Sequence, residues 1–153
     1  MIPLADLVHA HPFFADLPRD VVAFIAGCGA NVVFPASGYV FREGRPADRF
    51  YVLRHGRVSL EVFLPGRGPR LFQTLGPGEV LGASWLVEPY RWTYDARALE
   101  RVRAVAFDAI CLRAKCEDDP AVGYALMKRF VPVIVERLQT ARMQALDLYG
   151  RGS

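Results

Sequence analysis

The central half of this chain is built for strands rather than helices. From Asn31 to about Phe107, short β-prone runs alternate with turns. The runs are Val32–Phe34, Tyr39–Phe41, Phe50–Leu53, Val58–Phe63, Leu71–Leu75 and Val102–Phe107. Between them lie Pro35-Ala36-Ser37-Gly38, Glu43-Gly44-Arg45-Pro46, His55-Gly56-Arg57, Pro65-Gly66-Arg67-Gly68-Pro69 and Gly76-Pro77-Gly78. Glycine and proline at this density break any helix, and short strands spaced by turn residues predict a sandwich or barrel. Val58, Leu60 and Val62 alternate with Ser59, Glu61 and Phe63, the period of a strand with one buried face.

The flanks follow a helical period. Residues 4–28 read as short helices, with Val21, Val22, Phe24 and Ile25 on one apolar face. Asp16 is the expected cap, Pro18 falls near the first turn, and Gly27 and Gly29 end the segment. At the other end, Asp118 and Asp119 precede Pro120, a favourable helix start. From there to Leu148, Val122, Leu126, Phe130, Val133, Ile134, Leu138, Ala141 and Ala145 recur at helical spacing. Such a helix is about 43 Å long, more than a small domain needs to cover itself, and Pro132 is expected to kink it. The fold class is therefore mainly β with flanking α: an antiparallel, jelly-roll-like β-roll over about 31–107, N-terminal helices, and a long C-terminal helix over about 118–148. With 153 residues, 52% of them hydrophobic, the chain reads as one domain, 1–153, with a proper core rather than a disordered polymer.

The strand-and-glycine text is specific. Pro35-x-x-Gly38-Tyr39-Val40-Phe41-Arg42-Glu43-Gly44 leads into Ala47-Asp48-x-Phe50-Tyr51-Val52-Leu53-x-x-Gly56-x-Val58, and later comes Leu75-Gly76-Pro77-Gly78-Glu79-Val80-Leu81-Gly82. This resembles a cyclic-nucleotide-binding domain, in particular the effector domain of Crp/Fnr-type regulators, over roughly residues 11–148. The resemblance implies a stand-alone regulatory sensor without the DNA-binding domain. It also implies a phosphate-binding cassette in which a short helix N-terminus, a glutamate and an arginine hold the ligand.

The cassette text here is Gly82-Ala83-Ser84-Trp85-Leu86-Val87-Glu88-Pro89-Tyr90-Arg91-Trp92-Thr93. With Ala96-Arg97-Ala98 as anchor, the family's ribose-binding glutamate falls on Ala83 and its phosphate-binding arginine on Trp92. Both side chains are absent. By family position the ligand-binding candidates are Gly82, Ala83, Ser84, Trp85, Arg91, Trp92 and Thr93, and Arg91 stands in for the arginine if the loop shifts register by one. Trp85, Tyr90, Trp92 and Tyr94 crowd the same ten positions. They either line a pocket for an apolar or stacking ligand or fill the vacated pocket as core. Asp95 and Arg97 are expected to form a local ion pair.

The second functional element is the C-terminal helix. Ile134, Leu138, Ala141, Ala145 and Leu148 step by four, three, four and three, a coiled-coil seam, and with Phe130 they are the candidate dimer residues. The predicted function is a sensor module with an atypical cassette that signals through a dimeric long helix to a small-molecule effector's occupancy. The competing readings are a genuine cyclic AMP or cyclic GMP receptor using Arg91, a transcription-regulator fragment, and a protein-interaction module with a degenerate pocket. The partners expected are that effector, a second copy and another regulatory protein. Direct DNA binding is not expected, because the chain stops where a helix-turn-helix domain would begin and its arginines are scattered.

Other chemistry is not signalled. No nucleophile elbow, P-loop or carboxylate pair suggests an enzyme. No metal or cofactor is expected, and Cys111 and Cys116 read as buried thiols. Three cysteines, no basic-then-apolar leader and no apolar run of about 18 residues suit a cytoplasmic protein away from the membrane.

Overall fold

The structure, a computed structural model, describes residues 4–151, with side-chain surroundings through residue 146. Helix α1 (Leu4–Ala10), a 3-10 turn (Pro12–Phe14) and α2 (Arg19–Gly27) precede eight strands. These are β1 (Gly29–Phe34), β2 (Tyr39–Phe41), β3 (Arg49–His55), β4 (Val58–Leu64), β5 (Gly68–Leu75), β6 (Val80–Leu81), β7 (Asp95–Ala98) and β8 (Val102–Asp108). Helices α3 (Ala109–Asp118) and α4 (Pro120–Arg151) follow. The strands form two antiparallel four-stranded sheets, ordered β1-β8-β3-β6 and β2-β7-β4-β5. Two strands lie outside the β-prone runs: β6 has only two residues, and β7, where the family resemblance places a strand at Ala96-Arg97-Ala98, is built of alanines and charged residues rather than β-formers.

The first sheet is covered on both faces. Phe50 and Phe107 face the helices, where they stack at 4.7 Å, while Tyr51 and Leu53 point the other way and are also buried. This is why β3 reads as an unbroken apolar run. On the second sheet Val58, Leu60, Leu75, Ala96 and Ala98 form the inner face. Its outer face is more enclosed than simple alternation predicts, since Ser59, Glu61 and Asp95 are buried there too. Asp95 and Arg97 do not pair with each other. Asp95 accepts the Glu43 amide at 2.7 Å and meets Arg42 at 3.4 Å, and Arg97 meets Glu61 at 2.9 Å. Alternate residues share a face, but their charged tips follow the partners set by the neighbouring strands.

The helix starts differ in their chemistry. Pro18, not Asp16, occupies the N-cap of α2, and Asp16 adopts φ 68° in the preceding turn. Asp108 caps α3 by accepting the Ile110 and Cys111 amides at 2.9 and 3.2 Å. Asp119 accepts the Ala121 amide at the start of α4, which then runs through Pro132 for 32 residues. No helix among the described residues is long and apolar enough to cross a membrane.

One turn demands glycine twice over. Gly56 has φ +87°, and a Cβ there would lie 2.4 Å from the Arg101 carbonyl oxygen. Gly56→Ala should therefore cost at least about 2 kcal/mol of left-handed strain and displaced backbone. Chemical denaturation should show it, while Gly66→Ala, with the same sign of φ and open space around it, should cost less.

Candidate functional site

A cavity of about 370 Å³ lies between the second sheet and α4. The sheet contributes Val62 and Phe72, the cassette segment contributes Ala83, Ser84, Val87, Thr93 and Tyr94, and α4 contributes Ile134, Arg137, Leu138 and Ala141. Its walls are mostly apolar, with the Ser84, Thr93 and Tyr94 hydroxyls and the Arg137 guanidinium as polar groups.

The cassette is shaped by its two ends. After β6, Gly82 takes φ +99° and the chain turns into a short 3-10 helix, Ser84–Leu86. That helix is anchored by Trp85, which is fully buried and packs on Phe50 and Phe130 with ring centroids 5.3 Å away in both cases. Arg113 donates to the Trp85 carbonyl at 2.9 Å and to the Ala47 carbonyl at 3.1 Å, tying the cassette to α3. At the far end, residues 90–92 pair with the turn at 44–47. The Ala47 amide donates to the Tyr90 carbonyl at 2.7 Å, the Gly44 amide to the Trp92 carbonyl at 2.9 Å, and the Trp92 amide to the Arg45 carbonyl at 3.0 Å.

This pairing decides where the two central side chains go. In extended backbone, successive side chains leave on opposite sides. Trp92 turns inward, buried, and stacks on Phe41 with centroids 3.7 Å apart and planes 5° from parallel. Its ring also lies directly over Gly82: a Cβ at that glycine would come within 2.7 Å of it. Arg91 turns outward and donates to the Gly44 carbonyl at 2.7 Å.

Of the seven cassette candidates, Ala83, Ser84 and Thr93 line the cavity. Trp85 belongs to the core, Gly82 lies beneath the Trp92 ring, and Trp92 stacks away from the lining. Arg91 is not brought to the cavity, because the register of the 44–47 pairing puts it on the solvent side. The four clustered aromatics divide. Tyr94 lines the cavity, Trp85 and Trp92 are core, and Tyr90 lies under Arg113, whose guanidinium is 4.3 Å from the ring centroid.

The α4 candidates divide as well. Ile134 and Leu138 are exposed and Ala141 is half-buried, so all three lie at or near the surface; Ala145 is exposed. Phe130 is the correction: it is fully buried against Phe13, Phe50 and Trp85, so it belongs to the inward face and not to an outer seam. The side chain of Leu148 lies outside the described residues.

The most informative cavity residue, Arg137, is not a cassette residue at all. It is buried on α4 and donates through Nη2 to the Val80 carbonyl and through Nη1 to Glu136 at 3.3 Å. Burial raises the Tyr94 pKa and Arg137 opposes that shift, so the phenol stays protonated and able to donate. The helical period did not by itself mark Arg137 as inward, although this residue falls seven after Phe130, two helical turns along the same stripe.

The cysteines also differ from expectation. Cys111 is exposed, and although it is far from Cys28 in sequence it contributes to raising the pKa of that thiol. Burial, then the hydrogen bond with Cys111, pushes the Cys28 thiol up to about 12, which leaves it protonated and unreactive.

The comparisons agree with this architecture. The model of the cyclic nucleotide-binding domain matches residues 31–119. A CRP-like cAMP-activated global transcriptional regulator of Mycobacterium tuberculosis is 31% identical over 117 residues, 76% of this chain and 50% of the relative. The chain thus spans about half the length of the curated relatives it matches. Among solved structures, a putative cyclic nucleotide-binding protein from Geobacter metallireducens superposes with a TM-score of 0.80 at 30% identity, covering 90% of this chain and 99% of that one. The N-terminal domain of a transcriptional regulator from Streptomyces coelicolor follows at 0.66 and 26%, covering 92% and 95%. With the β-roll, the cassette and the helix-capped cavity all in place, this chain belongs to the cyclic nucleotide-binding domain family.

Proposed function

We propose that this domain is a regulatory sensor whose effector is a small molecule other than a cyclic nucleotide, and that it signals through pairing of α4 with a second copy. The observation that carries the first part is the Trp92 ring, lying over Gly82 and stacked on Phe41 at the position where the family resemblance puts the phosphate-binding arginine. An indole there offers no charge to a phosphate. Ala83, at the glutamate position, faces the cavity with a methyl group that cannot bond a ribose hydroxyl. Loss of one member of a buried charge pair costs about 2–5 kcal/mol. That weakens a micromolar site toward the millimolar range.

The helix supports the second part. Tyr124, Met127, Val131, Ile134 and Leu138 are exposed and step by three, four, three and four, a seam that a second helix would cover. Ile134, Leu138 and Ala141 also line the cavity, so an occupant and a partner helix would share one set of side chains. Occupancy would then shift the pairing equilibrium by the ligand's difference in affinity for the two arrangements.

Calorimetric titration of cyclic AMP and cyclic GMP checks the first part. The expected dissociation constants are no tighter than about 1 mM, and Arg91→Ala should change nothing. A micromolar constant for either nucleotide overturns the reading. Sedimentation equilibrium checks the second part, with a dimer expected and a strictly monomeric protein at all concentrations against it.

A further inference from the structure

The cavity carries a single charge. Among its described lining residues only Arg137 is ionic, and it is set into a wall of Val62, Phe72, Ile134 and Leu138. A guanidinium has five N–H donors and no acceptor, and a buried one needs acceptors for most of them. Arg137 is more than nine-tenths buried, yet its Nε–H has no partner among the described residues. Its nearest carboxylate, Glu136, is half-exposed to water, meets it at 3.3 Å, and binds the Gln73 amide at 2.7 Å through its other oxygen. The cation is therefore only partly neutralised, at the edge of an apolar space large enough for a ring-bearing ligand.

We propose that the cavity takes an amphipathic organic monoanion, its carboxylate on Arg137 and its aromatic or branched body against Phe72, Tyr94 and Leu138. The assignment rests on the sensor reading above and names the class of its effector. A single negative charge completes the neutralisation of the guanidinium, and the Tyr94, Thr93 and Ser84 hydroxyls supply further donors around it. A neutral ligand leaves the cation under-neutralised, and a cationic one is repelled inside a low-dielectric wall. The competing role for Arg137 is a strut that ties α4 to β6 through the Val80 carbonyl. A strut predicts a stability loss on substitution but no preference among ligand charges.

The test uses three probes of one shape, 2-naphthoate, 2-naphthamide and 2-naphthylmethylamine, titrated into the full chain by calorimetry. Charge-assisted bonds make the acid bind at least about tenfold more tightly than the amide. Arg137→Gln should abolish that preference while amide binding persists, and Arg137→Lys should restore most of it. Circular dichroism and thermal unfolding of each variant confirm that the fold is kept. Equal affinities for acid and amide, or a preference that survives Arg137→Gln, overturn the monoanion assignment and leave the sensor reading standing. Binding of none of the three also overturns it, whereas the sensor reading falls only if cyclic AMP or cyclic GMP binds tightly.

Discussion

Phe130→Ala is expected to lower the free energy of unfolding by about 3–5 kcal/mol, the range for truncating a fully buried phenylalanine. For a chain of this size that is a fall in melting temperature of roughly 10 °C. Phe130 has no exposed surface, and its ring meets Phe13 at 4.8 Å, Phe50 at 5.0 Å and Trp85 at 5.3 Å. It therefore joins the N-terminal 3-10 turn, the start of β3 and the cassette helix through one side chain on α4. No neighbour can collapse into the gap without disturbing all three, so the cavity term is large. The contrast is Leu138→Ala. Leu138 is 57% exposed, and its loss should cost less than about 1 kcal/mol in the monomer while, on the α4 pairing proposed above, shifting association toward single chains. Thermal unfolding at low concentration and sedimentation at high concentration separate the two effects. Equal destabilisation by both variants would mean that α4 does not divide into an inward and an outward face.

Arg97→Ala should be the second large loss, roughly 3 kcal/mol, because it strands a buried carboxylate. Glu61 is 2% exposed, and its Oε2 accepts from Ser59 at 2.6 Å and from Arg97 Nη2 and Nε at 2.9 and 3.2 Å. Its Oε1 has no partner among the described residues. Asp95 stands directly across from Glu61 on the neighbouring strand, so removing the guanidinium also leaves two carboxylates facing each other. Arg97 itself is more than a third exposed, so water can reach the vacated space and keeps the cost at the low end of the buried-pair range. Adding Glu61→Gln to Arg97→Ala should recover most of the loss, since the neutral amide still accepts from Ser59. Urea denaturation of the single and double variants measures this directly. A double variant no more stable than Arg97→Ala alone would show that the cost lies in lost contacts of the arginine side chain, whose guanidinium lies over the Tyr39 ring, and not in the stranded carboxylate.

The parts of the site that were legible and those that were not differ in kind. The family resemblance, counted back from Ala96-Arg97-Ala98, is what puts the expected glutamate on Ala83 and the expected arginine on Trp92, and that count needs only a one-dimensional anchor. Whether Arg91 could replace the absent arginine depended on which side of the backbone it leaves. That is set by hydrogen bonds to residues 44–47, more than forty positions earlier in the chain. Arg137 is a similar case. An arginine on a helix reads as solvated, and only the depth at which α4 crosses the sheet turns it into a cavity wall. Phe130 and Ile134 are both apolar and roughly 40° apart around α4, so the period allowed either to face outward. The position of the roll separated them.

Local chemistry was enough to determine the order of helix, strands and helix, the turns and the family. Turn residues and apolar periods act over a few neighbours and are written in consecutive letters. Tertiary structure alone decided that the second sheet buries an ionic network on its outer face, that Trp92 covers Gly82, and that one arginine of the long helix sits inside the cavity. Each of those depends on contacts between segments tens of residues apart. Burial and pairing of a charge are properties of the space around it, and no stretch of sequence contains that space.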